Sequence, residues 1–263
     1  AALHYAKLHV ENSPESKVLV IASDIAKYGV ETPGEPTQGA GSVAMLITQN
    51  PRIMAFNNDN VAQTRDIMDF WRPNYSSTPY VNGMYSTQQY LDCLTTTWDE
   101  YKKRYDWTMD DFAAICFHLP YPKLALKGLR KMMDKTLSKE KQDSLQENFD
   151  KSILYSQMIG NIYTGSLFLG LLSLLENAET LKAGDKIALY SYGSGAVSEF
   201  FSGELVEGYE TYLDKERLSR LKQRTALSVA DYEKVFFEDL QLDESGSAQF
   251  AGYEHQDYAL VEI

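Results

Sequence analysis

Gly160-Asn161-Ile162-Tyr163-Thr164-Gly165-Ser166 runs directly into Leu167-Phe168-Leu169-Gly170-Leu171-Leu172-Ser173-Leu174-Leu175. The second part reads as a helix that is apolar nearly all round, and such a helix belongs inside a protein. It is far too short to span a bilayer. Toward the C-terminus, Lys186-Ile187-Ala188-Leu189-Tyr190-Ser191 reads as a strand. Gly193-Ser194-Gly195 is then a tight turn, and Val197 to Val206 a strand paired with the first. Toward the N-terminus, Phe112 to Leu119 contains a buried strand ending at His118-Leu119-Pro120. A helix starts near Pro122, where proline suits the first turn, and another spans about Lys139–Asp150. A central apolar helix among buried strands predicts an α/β fold layered α-β-α-β-α.

The first third repeats the theme. Lys17 to Ala22 is a continuous apolar run, predicted to be a strand buried on both faces and ending at Ser23-Asp24. A carboxylate at the end of such a strand is where α/β proteins tend to place ligand contacts. Residues 29–41 read as an ordered loop, Ser42 to Ile47 as a second buried strand and Ile53 to Phe56 as a third. The chain looks irregular around Asp69-Phe70-Trp71-Arg72-Pro73. Ser86 with Gln89 forms a capping-box pattern that opens a long helix, with an apolar stripe of Leu91, Leu94, Trp98, Tyr101 and Tyr105. Ala1 to about Val10 reads as a helix from its first residue, without a capping side chain, as though cut in the middle. From Tyr209 the tail is charged and helical, ending in a weakly ordered acidic stretch.

With 44% hydrophobic and 24% charged residues, the 263-residue chain has an ordinary globular composition. Its net charge of -12 argues against nucleic-acid binding, which needs a basic surface, and against attraction to anionic membranes. Two cysteines, Cys93 and Cys116, make no disulfide framework and fit a reducing cytoplasm. No metal-ligand spacing occurs.

His118, at the end of a buried strand, could polarise a carbonyl or move a proton; a core histidine with a satisfied hydrogen bond fits the position as well. Lys123, Lys127 and Lys131, with Arg130 beside them, recur on one helical face just beyond it. In an acidic chain that stripe points to a phosphate-bearing ligand, although charge runs are more often solvated faces. Asn161 could donate to a carbonyl oxygen or simply cap the helix. Gly193-Ser194-Gly195 could converge backbone N–H groups on an oxyanion or be a plain hairpin turn. Cys116 sits in an apolar run with no cation to lower its pKa, so it reads as a core residue rather than a nucleophile.

Six segments together resemble the 3-hydroxy-3-methylglutaryl-CoA synthases, thiolase-fold condensing enzymes. They are Ala22-Ser23-Asp24-Ile25-Ala26-Lys27-Tyr28, Gly34-Glu35-Pro36-Thr37-Gln38-Gly39-Ala40-Gly41, Asp69-Phe70-Trp71-Arg72-Pro73, Phe117-His118-Leu119-Pro120, Gly160 to Ser166, and Tyr190-Ser191-Tyr192-Gly193-Ser194-Gly195. They fall in the family's order over roughly residues 1–208, and the Gly-Glu-Pro-Thr-Gln loop resembles the bacterial branch. The resemblance implies a thiolase-like fold, with residues 1–56 ending the N-terminal half. Residues 57–263 would be the C-terminal half, with helical insertions and the charged tail.

The resemblance also implies roles. His118 matches the catalytic histidine that positions and polarises acetoacetyl-CoA. Asn161 matches the asparagine bonded to the substrate carbonyl, and Ser194 a residue whose N–H helps form the oxyanion site. Lys123 and Lys127 match lysines near the CoA entrance. Thr37 and Ser86 match substrate contacts, and Asp24, Tyr28 and Asp69 match supporting pocket residues. The family's nucleophilic cysteine and general acid/base glutamate would both lie upstream of residue 1. The expected reaction joins acetyl-CoA, acetoacetyl-CoA and water to give HMG-CoA and CoA, in the mevalonate route to isoprenoids. The two CoA thioesters are substrates and no cofactor is implied. A cytoplasmic homodimer is expected, with neither nucleic acid nor membrane as partner. The rival expectations are another thiolase-fold enzyme, ketoacyl-synthase-III-like or polyketide-type, and a non-catalytic piece of a larger assembly.

Overall fold

The computed structural model describes residues 1–76, 78–134, 136–238 and 242–248. They form two units, Ala1–Gln223 and the stretch from Arg224 onward. In the first, α1 (Ala2–Asn12) leads into an antiparallel ribbon of β1 (Lys17–Ala26) and β2 (Gly39–Thr48). Next come β3 (Met54–Phe56), β4 (Val61–Ile67) and the short antiparallel pair β5 (Phe70–Trp71) and β6 (Tyr80–Val81). Then follow α2 (Gly83–Tyr105), β7 (Ala114–Phe117), α3 (Pro122–Met132), α4 (Lys139–Ser152), α5 (Leu154–Ile159) and α6 (Gly165–Asn177). The antiparallel strands β8 (Lys186–Gly193) and β9 (Gly195–Leu205) precede α7 (Arg217–Lys222). The second unit holds α8 (Val229–Phe237), whose first turn is capped by Ser228 accepting from the Asp231 N–H. The acidic end of the tail, from residue 249, lies outside the described residues.

β7, β8 and β9 lie side by side, with β3 and β4 sharing the far edge of β9. β7 and β8 are parallel, pairing Phe117 with Tyr190, and α3 to α6 make the crossover that parallel strands require. The strands alternate between two apolar faces. Ile115, Phe117, Ala188, Tyr190 and Phe200 share one core with Leu94, Trp98 and Tyr101 of α2. Cys116, Ile187, Leu189 and Phe201 share the other with Leu167, Leu174 and Leu175 of α6. A fully buried leucine of this kind contributes about 2 kcal/mol. On its other side α6 packs against β1 and β2. The layers therefore follow the expected order, with the apolar α6 sandwiched between two sheets. α1 packs on the ribbon and is tied to β9 by a hydrogen bond between His4 and Glu199.

Two sequence expectations are corrected. The ribbon is not buried on both faces: Leu19, Ile21, Ile25 and Leu46 are exposed, and in β2 only Val43 is buried. β1 also continues past Ser23-Asp24 to Ala26, because β2 pairs with it along its whole length. A continuous apolar run shows that both faces are apolar, not that both are covered. The second correction concerns α2, which begins four residues before Ser86 at the cap residue Asn82, whose side chain accepts from the Tyr85 N–H at 3.1 Å. Ser86 lies in the first turns of the helix, and its hydroxyl reaches Asp69 instead.

The C-terminal end of α6 carries a buried carboxylate, Glu176. It accepts from Tyr155 Oη at 2.5 Å, Arg217 Nε at 2.8 Å and the Asp214 N–H at 3.1 Å. Lys215 Nζ meets the last-turn carbonyls of Leu175 and Glu176 at 3.3 and 3.2 Å.

Candidate active site

Two polar clusters form where strand ends and loops meet. The first surrounds Asp69, 1% exposed, just before β5. Its Oδ2 accepts from Ser86 Oγ at 3.1 Å, Tyr192 Oη at 2.9 Å and Ser194 Oγ at 3.0 Å. Its Oδ1 is buried with no partner among the described residues. Three sequence-predicted residues thus converge, from a strand entry, a helix start and a hairpin turn. Tyr192, which sequence reasoning did not single out, completes the set; burial, and then its bond to Asp69, push its phenol pKa up. Tyr192 lies near the end of β8, two residues before Ser194 in the β8–β9 turn, and that closeness in sequence was the available signal.

The second cluster joins Tyr28, Thr37 and Asn161. Asn161 Nδ2 donates to Tyr28 Oη at 2.8 Å. Its Oδ1 accepts from the Tyr163 N–H at 2.9 Å and Ser166 Oγ at 3.0 Å, so the amide is locked against flipping. The Asn161 N–H donates to the Thr37 carbonyl at 3.0 Å, while the Thr37 hydroxyl donates to Gly34 O at 2.8 Å. Glycine is required for this approach: Gly160 has φ +87, and a Cβ there would lie 1.9 Å from Gln38 O. Gln38 Oε1 in turn accepts from the Tyr28 and Gly29 N–H groups. Burial raises the Tyr28 phenol pKa, with Tyr163 next in effect. Phe70 bridges the clusters, since it follows Asp69 in sequence and packs edge-on to Tyr28 at 6.0 Å and tilted against Tyr163 at 6.3 Å.

His118 follows β7. Its N–H donates to Tyr190 O at 2.7 Å, and its carbonyl accepts from Tyr90 Oη at 3.0 Å. The Tyr90 ring packs against Tyr192 at 5.3 Å, which links the histidine backbone to the Asp69 cluster. Burial lowers the imidazole pKa to about 4, so the ring is neutral at pH 7. A neutral ring with no hydrogen bond among the described residues can donate or accept a proton.

The remaining candidates stand apart from these bonds. Asp24 is exposed; its Oδ1 accepts from the Ile25 N–H at 2.8 Å, and it lines a cavity of about 520 Å³ with Ser23, Thr164 and Ser191. Lys123 and Lys127 are exposed on α3, whereas Lys131 lies 3.7 Å from Asp92 on α2, so only part of the basic stripe is available to an anion. Cys116 is fully buried and its thiol is pushed up to about 12 by desolvation. Cys93 is also buried and shifted upward, chiefly by desolvation. Neither thiol is poised as a nucleophile. No group of His, Cys, Asp or Glu able to hold a metal occurs among the described residues. No helix among them is long and apolar enough to cross a membrane.

A buried helix between two sheets, with polar loops and a neutral histidine gathered at strand ends, places the chain among the thiolase-like α/β proteins. Comparison with known proteins narrows the class. The family described as "Hydroxymethylglutaryl-coenzyme A synthase C terminal" matches residues 61–148 and 130–249. The hydroxymethylglutaryl-CoA synthase of Enterococcus faecalis is 52% identical over 245 residues, covering 92% of this chain and 63% of that protein. A crystal structure of HMG-CoA synthase complexed with CoA is 65% identical, with a TM-score of 0.95 over 100% of this chain and 68% of that one. The polyketide-biosynthesis 3-hydroxy-3-methylglutaryl-ACP synthase of Bacillus subtilis is 32% identical, over 86% of this chain and 57% of that protein. The chain belongs to the hydroxymethylglutaryl-CoA synthase family, and it spans about two-thirds or less of the length of these relatives.

Proposed function

We propose that the full-length protein condenses acetyl-CoA with acetoacetyl-CoA and water to give HMG-CoA and CoA, in the cytoplasm and as a homodimer. The observation that carries the reading is the neutral imidazole of His118 at the end of β7, without a hydrogen bond among the described residues, in a chain of this family. Such a ring can polarise the acceptor ketone without bringing a charge into a desolvated site. The two cysteines are buried with raised pKa values. In this reading the acyl-carrying cysteine therefore lies outside residues 1–263, and the family resemblance puts the acid/base glutamate outside them as well. That cysteine takes the acetyl group from acetyl-CoA and releases CoA. The glutamate removes a methyl proton, the carbanion adds to the acceptor ketone, and water cleaves the resulting enzyme thioester to free the product. Asn161, held by Ser166 and Tyr28, positions the acceptor carbonyl with Thr37 and Ser86 beside it. The backbone at Ser194 stabilises developing oxyanion charge, an effect of about 3 kcal/mol per donor. Lys123 and Lys127 meet the phosphates of CoA.

The 32% identity to an ACP-dependent relative supports a second reading, in which the acyl group arrives on a carrier protein. The test follows acetoacetyl-CoA consumption by full-length protein, with CoA-bound and carrier-bound acetyl donors in parallel. Consumption with acetyl-CoA alone is expected. His118→Ala should abolish condensation while sparing much of the acetyl transfer, and normal condensation by that variant would sink the assignment.

A further inference from the structure

The two oxygens of Asp69 have unequal surroundings. Oδ2 gathers three hydroxyl donors, whereas Oδ1 is closed off from solvent with none among the described residues. A buried polar atom left unmatched costs about 1–3 kcal/mol, so the three donors on Oδ2 are what hold the carboxylate in this place.

The three donors are not equivalent. The Ser86 and Ser194 hydroxyls sit on rotatable bonds and can turn to other acceptors. The Tyr192 oxygen is fixed by its ring, which is buried and packed edge-on against Tyr90 at 68°. Tyr90 is itself fully buried, with Tyr190 edge-on at 5.4 Å and its hydroxyl on the His118 carbonyl. One rigid aromatic stack therefore carries both the bond to Asp69 and the bond to the histidine backbone.

We propose that Tyr192 is a positioning residue, fixing Asp69 Oδ2 so that the Ser86 and Ser194 hydroxyls anchored on that oxygen are held in register for the bound acyl-CoA. This rests on the condensation reading, because it needs that ligand at the site. Tyr192 acts only through Asp69, and the effect belongs to turnover rather than to the affinity of the acceptor.

A double-mutant cycle on the full-length enzyme tests it, with Tyr192→Phe, Asp69→Asn and the pair, each first shown by thermal melting to be folded. Tyr192→Phe is expected to lower kcat about tenfold, the scale of one hydrogen bond to a charged group. The KM for acetoacetyl-CoA should stay within about twofold. In the Asp69→Asn background the same change should cost less than about twofold more. A wild-type enzyme that leaves acetoacetyl-CoA untouched overturns the condensation reading, and this inference with it. An active wild type in which the two penalties multiply, or in which Tyr192→Phe keeps full kcat, overturns the Tyr192 assignment alone.

Discussion

Replacing Gly160 with alanine tests the loop contact that holds the Asn161 cluster together. At Gly160 the backbone has φ +87 and ψ -163, a region nearly closed to residues with a Cβ, with a penalty of about 1–3 kcal/mol. The added carbon would also lie 1.9 Å from Gln38 O and 2.9 Å from Gly39 Cα. Both neighbours are backbone, so one loop must withdraw by more than an ångström. Withdrawal breaks the Asn161 N–H to Thr37 O bond at 3.0 Å, for about 1 kcal/mol more. The expected loss is about 3 kcal/mol, a fall in melting temperature of roughly 6–12 °C for a chain of this size. Gly184→Ala is the control, since φ there is +85 but a Cβ would meet nothing within 4 Å. It carries only the backbone penalty. Thermal unfolding followed by circular dichroism compares the two. If Gly160→Ala melts within about a degree of Gly184→Ala, the close approach of the loops does not contribute and the reasoning fails.

Two further predictions concern titratable groups. The His118 pKa of about 4 lies below its ordinary 6.5, so between those values the unfolded chain binds a proton that the folded chain refuses. Stability should therefore fall as pH drops from about 6.5 to 4 and level off below, by at most about 3 kcal/mol. Subtracting the profile of His118→Gln isolates that part, and a flat difference across the window would mean the imidazole is not buried neutral. For the cysteines, a maleimide at pH 8 should leave Cys93 and Cys116 unmodified while labelling urea-unfolded protein fully. Rapid native labelling of Cys116 would contradict its burial.

Much of the fold was legible because hydrophobic pattern and helix punctuation agreed. Leu167 to Leu175 announced a buried helix, Pro122 opened α3 where expected, and Gly193-Ser194-Gly195 marked the β8–β9 turn. The ribbon was misread because β1 is apolar on both faces and sequence cannot say what covers each. The start of α2 was misread because Asn82 and Ser86 both carry capping chemistry four residues apart, and the choice fell to Asp69 capturing the serine. The candidate residues were named by motif, but their grouping was not. Nothing local connects Asp69 with Ser86 and Ser194, which the β8–β9 turn and the start of α2 bring to one carboxylate oxygen. Tyr192 could only be found once that oxygen was located.

The sheet ends at Leu205, but the central helix is not electrically complete there. Glu176 places a negative charge at the end of α6 where the helix dipole is already negative. The cations that answer this end of the helix are Lys215, in the turn before α7, on its last carbonyls and Arg217, the first residue of α7, on the carboxylate. A chain cut after the final strand would keep every strand and every core side chain of the sheet. It would also leave the innermost helix ending in an unanswered charge. The smallest piece of this chain that can keep α6 in place therefore runs past the last strand, through the buried Tyr209 and at least to Arg217.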